Sequence, residues 1–72
     1  MDKKIKALEA KITAQDAHIA RMIKHNPVQE SIKAAKRILF VQRAELEYLM
    51  LNGTTDGFDL FAAAAAARAK VR

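Results

Sequence analysis

Residues 25–31 read HNPVQES, and this stretch decides how the chain folds. Proline has no backbone N–H and disfavours helical geometry in the residue before it. A helix arriving at His25 therefore stops, and Pro27 suits the first position of a new one. Asn26 then serves as the N-cap, and Gln29 takes the reciprocal capping position three residues on. This punctuation predicts a first helix over about 2–25 and a second over about 27–52, closed by Gly53 as a left-handed C-terminal cap. The run GTTDG at 53–57 makes the second turn. Asp56 is the expected N-cap of a third helix reaching about residue 70, with Asp59 also against its positive end.

The apolar pattern says how the first two helices meet. Ile5, Leu8, Ile12, Gln15, Ile19 and Met22 recur at alternating three- and four-residue spacing. Ile32, Ala35, Leu39, Gln42, Leu46 and Leu49 do the same in the second helix. Folding back at Asn26–Pro27 stacks these seams in order. The layers are Met22 with Ile32, Ile19 with Ala35, Gln15 with Leu39, Ile12 with Gln42, Leu8 with Leu46, and Ile5 with Leu49. In this register Glu9 is expected opposite Arg43, Asp16 opposite Lys36, and Lys11 opposite Glu45. Such exposed pairs specify register more than stability, each being worth about 0–1 kcal/mol. Gln15 and Gln42 fall in adjacent layers, where a mutual hydrogen bond would fix the register. A parallel homodimer of the first helix pairs Lys4 with Glu9 and Lys11 with Asp16, but it leaves the seam of the second helix unexplained.

The expected fold class is therefore all-α: an antiparallel two-helix coiled-coil hairpin over about 2–25 and 27–52, plus an alanine-rich helix over about 56–70. Residues 1–72 form one small helical domain, with 1–52 as the hairpin and 53–72 as the alanine-rich segment with a basic end. A chain this short buries only about 60% of its unfolded surface, so support from association is common. Cysteine is absent, which excludes disulfides, thiol catalysis and the usual structural zinc sites.

The second helix has more apolar surface than one partner covers. Ile38, Phe40, Val41, Tyr48 and Leu51 lie away from the seam and, with Phe58 and Phe61 of the third helix, form the candidate partner interface. Phe58 and Phe61 are expected to pack near Leu51 and Tyr48. Six consecutive alanines over 62–67 bring little hydrophobic area, so the third helix should leave part of the stripe open. Lys33, Arg37, Arg68, Lys70 and Arg72 are candidate contacts for an acidic partner or for phosphate. They collect at one end of the molecule if the third helix folds back along the second.

Enzyme signals are close to absent. Ser31 is the lone serine, no glycine-rich phosphate loop occurs, and no paired carboxylates stand out on one helical face. His18 and His25 stand two helical turns apart, too far to chelate one ion within a helix. No cofactor, metal or small-molecule substrate is expected. The charged N-terminus MDKKIKALEAKI does not read as a signal peptide, and LFAAAAAA at 60–67 is too short to cross a bilayer. The expected setting is soluble, intracellular or inside an assembled particle, away from membranes. The leading functional expectation is a non-enzymatic structural or adaptor protein that packs into a homo-oligomer or a larger assembly, such as a virus particle. A net charge of +5 supports a first alternative, a small basic nucleic-acid-associated protein. A small helical inhibitor of a larger protein is the second.

Overall fold

The computed structural model describes residues 2–25 and 28–72, with Asp2 described by its backbone alone. It contains three helices: α1 (Asp2–Lys24), α2 (Gln29–Asn52) and α3 (Leu60–Lys70). α1 packs on α2 and α2 packs on α3, while α1 and α3 do not meet. The chain extends over 39 × 24 × 11 Å. Packed helices lie about 8–10 Å apart, so three abreast span roughly 21–25 Å between outermost Cα positions. The 24 Å width thus corresponds to a single layer of three helices with α2 in the middle, not to a closed bundle.

All twelve seam positions are buried or half-buried. Ile19, Ala35 and Leu39 form a cluster against which Ile12 and Met22 pack. Leu8 and Leu49 form part of the core at the open end of the hairpin, and Leu49 is completely buried. Two polar contacts bracket the register. The Gln15 side chain donates to the Ala35 carbonyl at 2.9 Å, and Arg43 reaches Asp16 at 3.3 Å.

These contacts also correct the expected polar pairing. Arg43 bonds Asp16 rather than Glu9, because its long side chain crosses more than one layer on an exposed edge. Neither Asp16–Lys36 nor Lys11–Glu45 closes as an ion pair; among the described residues the other pair is Lys33–Glu30, at 3.8 Å within α2. Gln15 bonds backbone rather than Gln42, leaving the Gln42 Oε1 buried without a partner.

The ends of the helices follow different rules. Gly53 caps α2 in the left-handed conformation (φ 76°), its N–H donating to the Leu49 carbonyl at 2.8 Å. At the other end α2 begins at Gln29 with extended Val28 as its N-cap. Valine offers no side-chain acceptor, and no side-chain capping bond forms at Val28. The Asn26 cap and the Pro27 helix start lie outside the described residues. α3 begins at Leu60, later than the sequence reading, and Asp59 rather than Asp56 caps it by accepting from the Ala62 N–H at 3.0 Å. The reason is Gly57, whose φ of 88° places it outside helical geometry. Asp56 instead lies in a turn, where its carbonyl accepts from the Tyr48 hydroxyl at 3.1 Å.

Gly57 has a second constraint. A Cβ there would sit 2.9 Å from the Tyr48 hydroxyl. Gly57→Ala is therefore expected to cost about 1–2 kcal/mol from the left-handed backbone, with a further loss from displacing that hydroxyl. Urea unfolding of the variant, compared at fixed chain concentration, measures the sum.

Candidate assembly interface

α3 is antiparallel to α2 because both of its ends are tied. At one end the Tyr48 and Phe58 rings meet edge to face, 5.7 Å apart and inclined at 63°. At the other, the Arg37 Nε donates to the Val71 carbonyl at 2.9 Å. That carbonyl lies just past the last turn of α3, where backbone oxygens carry partial negative charge. The meeting of basic residues expected there is thus eased by a backbone acceptor within the same chain. Between the ties α3 turns Ala63, Ala64 and Ala67 toward α2, and Ala67 is 1% exposed. Alanine allows this close approach but covers little of its neighbour.

The uncovered part is a groove of about 450 Å³ between α2 and α3. Ala34, Arg37, Ile38, Val41 and Gln42 of α2 and Ala64, Ala67 and Arg68 of α3 line it. Ile38 is half exposed, at 52%. Phe61 lies one turn before Ala64 and Ala65, on the stripe that leads through Arg68, and it is 86% exposed. It therefore does not pack near Leu51 and Tyr48 as its sequence position suggested; Phe58 alone meets Tyr48. Leu51 also projects into solvent, at 76%.

The remaining candidates separate. Phe40 is half-buried and lines a different hollow, of about 570 Å³, on the other side of the layer with Asp16, Lys36, Arg43 and Glu47. Of the apolar candidates, Ile38 and Val41 line the groove, while Phe40, Tyr48, Leu51, Phe58 and Phe61 do not. Among the basic candidates, Lys33 reaches Glu30 and Arg37 reaches Val71, Arg68 borders the groove, and Arg72 bonds the Ala69 carbonyl at 3.2 Å. Lys70 is exposed, as are His18 and His25. No cluster of three or more metal-ligating side chains occurs among the described residues. No described helix is long and apolar enough to cross a membrane.

Sequence reasoning missed two features. Exposed Leu60 adds to the apolar surface beside Phe61. Gln42 interrupts the core with a buried oxygen that no donor among the described residues satisfies. Leaving such an atom unpaired costs about 1–3 kcal/mol, while an apolar replacement of similar shape removes that cost. Gln42→Leu is expected to raise the melting temperature by roughly 4–8 °C, corresponding to about 1 kcal/mol in a domain of this size. Calorimetry at matched concentration gives the comparison.

Comparison of the chain with protein-family models, with curated proteins and with solved structures finds no match. Function is accordingly argued from this geometry.

Proposed function

We propose that this chain is a non-enzymatic structural or adaptor protein whose work is to pack, helix on helix, into a homo-oligomer or a larger protein assembly. The observation that carries the reading is the single-layer architecture. A compact monomer of 8.0 kDa is expected to expose roughly 4,450 Å², whereas this chain exposes 5230 Å². Its Cα radius of gyration is 13.0 Å, against about 11 Å for a compact domain of 72 residues. The extra surface includes Ile38, Leu60 and Phe61, apolar side chains that a second layer would cover.

The basic residues support the nucleic-acid alternative less well, because Lys33 and Arg37 both have partners within the chain. An assembly that completes the core links folding to association. The melting temperature is then expected to rise with chain concentration, by several degrees per hundredfold. A melting temperature constant over that range, with cooperative unfolding, removes self-association from the reading.

A further inference from the structure

The groove between α2 and α3 carries an unbalanced positive charge beside apolar side chains. We propose that its occupant is a helix of a second protein, one whose carboxylate stands midway along an apolar stripe. The inference rests on the assembly reading and gives that assembly a partner of stated chemistry.

Charge is the first argument. Arg37 and Arg68 line the groove from its two walls, and no acidic side chain lines it with them. The hollow on the other side of the layer differs: there Asp16 and Glu47 stand with Lys36 and Arg43, and Arg43 pairs with Asp16 at 3.3 Å. Along the sequence, the positions three and four residues to either side of Arg37 and of Arg68 hold no aspartate or glutamate. The bond from the Arg37 Nε to the Val71 carbonyl holds the guanidinium on the groove wall, but a neutral acceptor leaves its charge in place. A carboxylate between the two guanidiniums offsets their repulsion and accepts N–H donors from both.

Position along the groove selects what carries that carboxylate. The lining of α2 runs from Ala34 to Gln42, about 12 Å or two helical turns, with Arg37 inside it. The antiparallel ties at Tyr48–Phe58 and Arg37–Val71 bring Arg68 within about one turn of Arg37 across the groove. The positive charge is therefore near the middle, with Ala34 to one side and Val41 and Ala64 to the other. A fatty carboxylate has its charge at one end of its apolar chain, and a nucleic-acid backbone has charge without apolar flanks. A helix with apolar side chains one turn before and one turn after a central carboxylate matches the groove at all three levels. Ala34, Ala64 and Ala67 permit its close approach, and its apolar stripe covers the half-exposed Ile38.

Three labelled, alanine-based helical peptides provide the test. Each carries leucine four residues before and four residues after a central position. That position is glutamate in the first and glutamine in the second; in the third the glutamate is moved two residues, onto the opposite face. Fluorescence anisotropy against the intact chain is expected to show the first peptide bound at least about tenfold more tightly than either of the others. Arg68→Gln is expected to remove most of that difference. Arg68 is exposed, and circular dichroism checks that the variant stays folded. Equal binding of the three peptides, or a difference that survives Arg68→Gln, overturns the carboxylate contact. A single-stranded oligonucleotide that binds more tightly than the first peptide, and loses that affinity in Arg68→Gln, overturns the helix in favour of phosphate. If no peptide binds while the mass of the chain still rises with concentration, the acidic helix is overturned and the assembly reading stands. Binding of no peptide together with a monomeric mass overturns both.

Discussion

Leu49→Ala is expected to remove about 2–5 kcal/mol of folding stability, the largest loss of any single truncation in the chain. Leu49 is fully buried, at 0% exposure, where the seam of α2 meets the open end of α1 and the turn into α3. Truncating a buried leucine to alanine costs about 2–5 kcal/mol, the upper part applying where the site cannot collapse around the cavity. A chain of 72 residues has roughly 4–11 kcal/mol in total. The substitution removes a large share of that stability, and denaturant unfolding or loss of the helical circular-dichroism signal reports it. Leu46→Ala, in a half-buried position of the adjacent layer, is expected to cost less. Equal costs at the two sites would mean that the core is not concentrated where the burial places it.

Ile38→Asp separates folding from assembly. Ile38 is 52% exposed in the single chain, so an aspartate there keeps much of its hydration and should change the stability of the isolated fold by less than about 1 kcal/mol. In a closed groove interface the same carboxylate loses its water. An uncompensated central charge is expected to weaken association by about 2–4 kcal/mol, or roughly thirty- to a thousandfold in Kd. Sedimentation of the variant beside the parent chain gives the shift. If Ile38→Asp lowers helicity without changing association, Ile38 belongs to the fold of the monomer and the groove is not an interface.

The hairpin was legible because its information is periodic. Seams at three- and four-residue spacing fix which face of α1 meets α2, and Gly53 closes α2 by supplying the positive φ that the cap requires. What escaped is what periodicity does not encode. Six alanines have no apolar stripe, so the rotation of α3 about its own axis cannot be read from them, and Phe61, expected to pack near Leu51 and Tyr48, points into solvent. Asp56 and Asp59 are equally good caps by residue type, and the backbone of Gly57 decides between them. The charged pairs were misassigned because arginine reaches past the nearest layer, as Arg43 does to Asp16. The bond from Arg37, a candidate contact for an acidic partner or phosphate, to the Val71 carbonyl just past α3 also depends on where α3 docks.

The candidate interface was visible in outline and scattered in detail. Surplus apolar surface on α2 followed from composition. Its division between two sides of a layer, Ile38 and Val41 on one and Phe40 on the other, depends on where α3 docks.

The central claim is that one layer of helices is half of a structure. Sedimentation equilibrium from low to high micromolar concentration tests it most directly. The account predicts a mass that rises from 8.0 kDa to at least twice that value as the chain is concentrated, with helicity retained. A cooperatively folded species that stays at 8.0 kDa throughout would contradict it.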